Sequence, residues 1–240
     1  PDKCYFGMRE IEWLGSHIGN GTIRPDDSKT KQITEAEFPR DAETLNQWLG
    51  LVQWCSQNIH RCALTLAPLH ARKKALTDKG GFDYEPTEEE LASFAEIKEW
   101  ISDPEKGVLA LPDFESPFYL LCDAANTVGM GVIVAQWREG RMRTVAYYSR
   151  QWKTAESRWH SLEHECCTVY EGIRRFSNWL HAKFYIETDA EPLVWLRHVK
   201  RPKGKYATWT MEMQCYDWTI THNPAKDHRG PDALSRLASV

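Results

Sequence analysis

The feature that most constrains this chain is the order of apolar segments in its second half. Short, closely connected runs at 118–122, 131–136 and 144–148 predict a three-stranded meander. An amphipathic stretch at 161–180 predicts a long helix with Ser161 as its N-cap. The later elements are strands at 184–188 and 218–222 and short helices at 191–197, 209–215 and 231–237. We therefore expect an α/β domain, a five-stranded mixed sheet with helices on both faces.

The first half of the chain has a mostly helical pattern. Residues 4–23 are the exception, because paired apolar runs and a Gly-Asn-Gly turn signal predict a hairpin. Apolar residues at helical spacing predict helices at 26–38, 41–62 and 87–101. Trp48 and Trp54 lie at that spacing, so we expect both in the core.

Composition and charge limit the function classes only loosely. The chain has 240 residues, 42% hydrophobic and 27% charged, which suits one large domain or two small ones. Its net charge of -4 lacks the overall basic excess of many nucleic-acid binders. The run HVKRPKGKY at 198–206 is nevertheless basic and is either a solvated surface or a phosphate-contacting segment, with Trp209 close behind. Its candidate nucleic-acid-binding residues are Lys200, Arg201, Lys203 and Lys205.

The cysteine pattern and the hydropathy of the chain predict its cellular compartment. The seven cysteines are odd in number and contain no C-x-x-C spacing, which argues against a disulfide framework or a zinc site. No apolar run is long enough to span a membrane, so we expect an intracellular protein without a membrane partner. The chain begins at Pro1 inside a patterned segment, which favours a fragment of a longer protein.

Four carboxylates lie where the predicted elements begin or end. Asp123 and Asp189 each follow a strand, Glu165 lies in the first turns of the long helix, and Asp232 opens the last helix. Side chains just past the carboxyl ends of neighbouring strands converge on one crevice. Taken singly, each acid also fits a turn, a helix cap or a solvated position. Clustered acids repel each other without a cation, and an all-carboxylate set suits Mg²⁺ or Mn²⁺.

Several segments resemble the polymerases of gypsy-like long-terminal-repeat retrotransposons. The resemblance covers nearly the whole chain in order. Its segments are KCYFGMREIEWLGSHI, TLNQWLGLVQWCSQNI, ALPDFESPFYLLCDAANTVGMGVIVAQ, VAYYSRQWKTAESRWHSLEHECCTV, IETDAEPLVWL and DHRGPDALSRL.

The resemblance implies a domain order. Residues 1–22 resemble the last hairpin of the polymerase palm, which grips the primer, and this implies nucleic-acid contacts for Trp13 and Gly15. Residues 23–80 resemble the thumb, 81–116 form a linker with a helix, and 117–240 resemble a ribonuclease H domain. No palm motif such as Y-x-D-D, which carries the paired catalytic aspartates of a polymerase, occurs, and Asp26-Asp27 lies in a helix-start context, so we expect no DNA synthesis from this chain alone.

The resemblance also implies a chemistry. Asp123, Glu165, Asp189 and Asp232 match the family's catalytic acids, which hold two Mg²⁺ ions, with Mn²⁺ as a substitute. The implied reaction is endonucleolytic hydrolysis of the RNA strand of an RNA–DNA hybrid. Implied partners are the hybrid, a polymerase palm and fingers preceding residue 1, and a second copy in a homodimer. The alternative is a non-catalytic nucleic-acid-binding or assembly module, either a host-adopted remnant or an idle subunit.

Some positions depart from the family pattern. Ala125, Ala190 and Pro231 replace residues next to the matched acids, and His228 replaces an asparagine. His228 either shuttles protons beside the metal or hydrogen-bonds the loop as asparagine would. We expect Gly129 and Gly131 to leave room for the hybrid backbone.

Overall fold

The computed structural model describes residues 4–78, 85–125, 128–188 and 203–222. The chain divides into two compact units, one of Pro1–Ile59 with Pro68–Leu111 and one of His60–Ala67 with Pro112–Val240. We call them the N-terminal unit and the C-terminal unit. The palm, thumb, linker and nuclease limits at 22, 80 and 116 concern function and stay predictions.

The N-terminal unit contains a small antiparallel sheet. Its strands, in spatial order, are β1 (Glu10–Trp13), β2 (Ser16–Gly19), β3 (Thr22–Pro25) and β4 (Leu109–Ala110). Both tight turns have two residues with positive φ, Leu14 with Gly15 and Asn20 with Gly21, as two-residue hairpin turns require. The predicted hairpin is confirmed, whereas β3 and β4 were not predicted.

In the described part of the chain, five α-helices precede the second sheet, and three of them begin at side-chain caps. The five are α1 (Asp27–Thr34), α2 (Ala42–Trp54), α3 (Cys62–Thr65), α4 (Ala67–Asp78) and α5 (Glu88–Ser102). At the starts of α1 and α2, Asp26 and Asp41 accept hydrogen bonds from the amides of Ser28 and Thr44, and Thr87 forms a capping box with Glu90 at the start of α5.

The predicted helix at 41–62 was wrong beyond Trp54. α2 ends there, and Arg61 adopts a left-handed conformation with φ of 51° just before α3. Trp48 is buried against Phe94, with ring centroids 4.6 Å apart, as predicted for a core residue. The prediction for Trp54 was wrong, since it is 52% exposed at the last turn of α2.

The C-terminal unit is built on a five-stranded mixed sheet, which confirms the predicted architecture. The strands are β5 (Tyr119–Ala125), β6 (Gly129–Arg138), β7 (Arg141–Gln151), β8 (Phe184–Thr188) and β9 (Trp218–His222), in spatial order β7-β6-β5-β8-β9. β5, β6 and β7 form the antiparallel meander, while β8 runs parallel to β5 and to β9.

Helices cover both faces of this sheet. α6 (Ser161–Arg175) packs against β5 and β6, and a Cβ on its Gly172 would lie 3.2 Å from Val132. α3 packs against β6 and β7 on the opposite face, since a Cβ on Gly131 would lie 3.7 Å from the Arg61 Cγ. Asp123 pairs with Gly131 and, by strand alternation, lies on the α3 face.

The start of α6 differs from the prediction. The N-cap is His160, which forms a capping box with Glu163, and Ser161 is the first helical residue. α7 (Lys205–Met213) follows, beginning four residues before the predicted helix. The predicted helices at 191–197 and 231–237 lie outside the described residues. Within the described ranges, no helix is both long and apolar enough to cross a membrane.

Candidate functional site

Asp123 lies near the carboxyl end of β5 and its side chain is accessible. Its Cα pairs with that of Gly131 on β6, and 53% of its side chain is exposed. The preceding residues Leu120 and Cys122 are fully buried. A carboxylate thus projects from the end of a core strand, where a ligand can reach it.

Glu165 lies in the second turn of α6 and is largely buried. The capping box at His160 sets where α6 begins, and therefore where Glu165 lies along the sheet. Only 8% of Glu165 is exposed. Glu163, two residues earlier, has a different role, because its Oε1 lies 2.9 Å from the Lys205 ammonium.

The Cys122 thiol is fully buried in β5, next to Asp123 in the chain. Burial raises the pKa of this thiol, and the negative charges of Glu165 and Asp123 raise it further. Cys122 and Asp123 lie on opposite faces of the sheet, because neighbouring residues of a strand alternate, with Cys122 on the α6 face and Asp123 on the α3 face.

Sequence reasoning missed Arg61, which lies beside Asp123. Its Nη1 is 3.9 Å from the Asp123 Oδ2, and the two side chains are 41% and 53% exposed. No motif in the sequence indicates this contact. It arises because His60–Ala67 clusters with the C-terminal unit.

The other predicted acids cannot be placed. Asp189, Asp232 and His228 lie outside the described residues, as do Lys200 and Arg201. The last described pair in the β5–β8 register is Cys122 with Thr188. The next residue of each segment in sequence is an aspartate, Asp123 or Asp189.

The described part of the basic run has two different environments. Lys203 is exposed. Lys205 is engaged within the unit, because its ammonium pairs with Glu163 and lies 3.7 Å from the centre of the Trp159 ring. Trp209 is 7% exposed and packs against Trp159, so it belongs to the core of the unit and not to a phosphate-contacting surface next to the basic run.

The two predicted contacts in the first hairpin are accessible to different degrees. Trp13 is 59% exposed on β1. Gly15 has φ of +77°, and a Cβ there would approach the Trp54 indole nitrogen to 2.9 Å. The turn and the neighbouring indole explain this glycine, and nucleic-acid contact by either residue stays a prediction.

The chemistry of the two described acids suits a divalent metal. Asp123 is exposed and Glu165 is largely buried, and carboxylate oxygens are the ligands that Mg²⁺ and Mn²⁺ prefer. Within the described ranges, no three or more His, Cys, Asp or Glu side chains are grouped so that they could hold an ion.

Comparison with known proteins identifies what the C-terminal unit resembles. Residues 113–216 match the model of the family described as "RNase H-like domain found in reverse transcriptase". This range contains Asp123, Glu165 and the strands from β5 to β8.

Curated relatives match along nearly the whole chain. The Retrovirus-related Pol polyprotein from transposon 412 of Drosophila melanogaster is 29% identical over 99% of this chain and 19% of its own length. The corresponding polyprotein from transposon 297 is 28% identical over 98% of this chain and 21% of its own length. The Transposon Tf2-3 polyprotein of Schizosaccharomyces pombe is 23% identical over 98% of this chain. The chain thus spans about a fifth of the length of the first two relatives.

Solved structures support the fold. The foamy viral protease-reverse transcriptase in complex with RNA/DNA hybrid has a TM-score of 0.68 and 18% identity, covering 89% of this chain and 29% of that chain. Its dRH form in complex with double-stranded DNA has a TM-score of 0.70 and covers 89% of this chain and 38% of that chain. Residues 113–216 are thus similar to the RNase H-like domains found in reverse transcriptase, and the chain as a whole is similar to retrotransposon Pol polyproteins.

Proposed function

We propose that this chain hydrolyses the RNA strand of RNA–DNA hybrids as part of a retroelement reverse transcriptase. One observation carries the proposal: the accessible carboxylate of Asp123 near the end of β5 and the buried carboxylate of Glu165 early in α6 both lie within the residues that match an RNase H-like domain. Two acids from separate elements beside an accessible sheet end suit phosphodiester hydrolysis better than a purely structural role.

The proposed site uses the four acids that the resemblance to retrotransposon polymerases implies. Asp123 and Glu165 would hold divalent ions together with Asp189 and Asp232. When bound, two such ions supply an activated water and stabilise the charge on the leaving oxygen. The chain's own part is to hold the carboxylates at fixed positions, which β5 and the capped start of α6 do for the two described acids.

The proposed substrate has two strands that must be told apart. Hydrogen bonds to 2′-hydroxyls across the wide minor groove identify RNA, and phosphate contacts position the duplex. The basic run at 198–206 is the candidate for the phosphate contacts, with Lys203 as its exposed described residue. Such contacts weaken with salt, so hybrid affinity should fall steeply as ionic strength rises.

The whole protein's context is also a proposal. We place a polymerase palm and fingers before residue 1 of this chain, in line with the relatives' description as Pol polyproteins. An intracellular location and a homodimer belong to the same proposal.

The decisive test is metal-dependent cleavage by an Asp123→Asn variant. The native chain should cleave a labelled RNA–DNA hybrid with Mg²⁺ or Mn²⁺. The variant should lose at least about a hundredfold in rate, because a metal ligand is replaced by a neutral amide. Hybrid affinity measured without metal should change little. Asp217→Asn is the matched control, since Asp217 is an exposed aspartate of the same unit.

The same assay separates the alternative function. A native chain that binds the hybrid but never cleaves it with either metal would support a non-catalytic binding or assembly module. An Asp123→Asn variant that keeps full activity would refute the proposed site. Asp189→Asn extends the test to an acid outside the described residues and should also abolish cleavage.

A further inference from the structure

The segment His60–Ala67 is held on the face of the C-terminal sheet that carries Asp123. The Ala63 amide donates to the Ser149 Oγ at 2.9 Å, and the Gln151 side-chain amide donates to the Ala63 carbonyl at 3.1 Å. The His60 ring packs edge-on against Tyr147, with centroids 5.6 Å apart. These contacts connect the start of α3 to β7, so the segment has a defined position on the sheet.

Gly129 provides the space for this docking. A Cβ at Gly129 would lie 2.6 Å from the Leu64 Cδ2 and would also collide with the Arg150 carbonyl oxygen. The expectation that this glycine leaves room for the hybrid backbone was therefore wrong, since Leu64 of the same chain takes that space.

Arg61 opens this segment, and its backbone and side chain have separate roles. Its carbonyl accepts hydrogen bonds from the amides of Leu64 and Thr65 at 2.8 and 3.0 Å, which ties it to α3. Its left-handed backbone begins that helix. Its guanidinium reaches the Asp123 carboxylate at 3.9 Å, on the exposed side of the sheet end.

The pair is too long and too exposed to be explained by stability. Exposed ion pairs contribute little because water and salt screen them. Among the described residues, the contact of the guanidinium with Asp123, at 3.9 Å, is too long for a hydrogen bond, so it leaves the five N–H donors available. The arrangement therefore leaves Arg61 able to take an oxyanion beside Asp123.

We infer that Arg61 couples the binding of the substrate phosphate to the binding of the divalent metal at Asp123. This inference rests on the proposed function. Without substrate, the arginine and a metal ion are like charges competing for one carboxylate, so Arg61 lowers metal affinity. A phosphate brings negative charge that both cations attract, and a guanidinium can hold two of its oxygens. Coupling of this kind is reciprocal, so each ligand strengthens the other.

The coupling gives the site a physical advantage. Metal binds weakly to the free chain and more strongly once a hybrid is present. The metal-loaded site then forms chiefly on substrate. The role belongs to a positioning residue, because Arg61 acts on the substrate and on the ligand Asp123 without being a metal ligand.

The test compares Arg61→Gln with the native chain in two single-ligand titrations. Calorimetric titration with Mg²⁺ alone should show affinity about threefold to fivefold tighter in the variant, the size of an exposed charge interaction. Fluorescence anisotropy with a labelled RNA–DNA hybrid in EDTA should show affinity about fivefold weaker, because one phosphate contact is lost. A structural role would not move these two affinities in opposite directions.

Two further variants make the result decisive. Arg143→Gln is the matched control, because Arg143 also pairs at 3.9 Å with an exposed carboxylate, Glu139, in the same unit. In Arg143→Gln, the affinities for Mg²⁺ and for the hybrid should both stay close to those of the native chain. Arg61→Lys keeps the charge but not the planar fork, so it should keep native Mg²⁺ affinity and still weaken the hybrid.

The inference is overturned if Arg61→Gln leaves Mg²⁺ affinity unchanged or weaker, or if hybrid affinity does not fall. Absence of any Mg²⁺ binding heat in both proteins also overturns it. Failure of the proposed function looks different, since it is the absence of cleavage by the native chain at saturating metal and hybrid. The two affinities are measured without turnover and are interpreted independently of that result.

Discussion

Two arginine–carboxylate pairs, one in each unit, differ in nearly every physical respect. Arg72 lies 2.9 Å from Glu90 in the N-terminal unit, with side chains 0% and 7% exposed. Arg61 lies 3.9 Å from Asp123 in the C-terminal unit, with side chains 41% and 53% exposed. A buried charge that loses its partner destabilises the fold strongly, because water cannot replace the partner. An exposed ion pair adds little to the free energy of unfolding, because water already solvates both charges. The first pair holds a fold together, and the second leaves its charges accessible to ligands.

The surroundings of the buried pair explain why it is structural. Glu90 also accepts a hydrogen bond from the Thr87 amide at 2.9 Å, which completes the capping box of α5. The Arg72 guanidinium lies 5.2 Å from the centre of the Phe38 ring. One pair thus connects α4, the start of α5 and the aromatic core.

The largest effect is expected when the buried pair is broken. Arg72→Met should lower the free energy of unfolding by about 3–5 kcal/mol, because it leaves the Glu90 carboxylate buried beside an apolar side chain. Urea denaturation of the whole chain measures this. Adding Glu90→Gln should recover part of the loss. A loss below about 1 kcal/mol would contradict the contrast between the two pairs.

The second effect concerns the docking that places Arg61. Gly129→Ala should lower the free energy of unfolding by about 1–3 kcal/mol, because the methyl group overpacks against Leu64 and the Arg150 backbone. Gly50→Ala is the control, since a Cβ at Gly50 in α2 has no neighbour within 4 Å. This control should be stabilising by up to about 1 kcal/mol. Equal effects at both positions would refute the docking.

A third arginine–carboxylate pair has an exposure between those of the other two, and its contribution to stability should depend on pH. Arg150 lies 2.6 Å from Glu156, with side chains 19% and 10% exposed. Burial acts to raise the pKa of Glu156, but Arg150 and the Lys153 amide outweigh it and hold the pKa below its ordinary value of 4.5. The stabilisation is therefore complete above pH 4.5 and is lost as pH falls through the lower folded-state pKa.

Glu156→Gln should accordingly cost about 1–2 kcal/mol at pH 7, in line with a charge-assisted hydrogen bond. The difference from the native chain should shrink as the pH is lowered below the ordinary carboxylate range. Urea denaturation at pH 7 and at pH 3 measures it. A difference that grows on acidification would mean that the sign of the pKa shift is wrong.

The smallest effect on stability is expected at the exposed pair. Arg61→Met should change the free energy of unfolding by less than about 0.5 kcal/mol, because both charges remain largely solvated. The same urea titration measures it. A loss as large as that of Arg72→Met would make Arg61 structural and remove the reason for assigning it to ligand binding.

Local patterns in the sequence predicted most of the C-terminal unit. The meander, the long helix and strands β8 and β9 follow from apolar alternation and helical spacing, and the structure confirms them. Position made Asp123 and Glu165 candidates, and the resemblance to retrotransposon polymerases selected them, while the structure places Asp123 within the last residues of β5. The roles of Asp189, Asp232 and His228 remain predictions.

The errors arose where tertiary contacts compete with local pattern. Trp54 continues a helical stripe, yet it lies exposed at the end of α2. Trp209 follows a basic run, yet its ring packs against Trp159 in the unit. Ser161 is a good cap by residue type, but His160 takes that role because Glu163 lies at the position that completes its capping box.

The amino-acid sequence by itself determined which segments become strands and helices of the C-terminal unit and which acids stand at their ends. Side-chain period and turn residues act over a few positions, so they are readable along the chain. Only the tertiary structure decided that Arg61 lies beside Asp123. That contact depends on Leu64 fitting over Gly129 and on Ala63 bonding to Ser149, between segments more than sixty residues apart by their numbering. Such packing is set by shape and distance in the folded chain and leaves no periodic trace in the sequence.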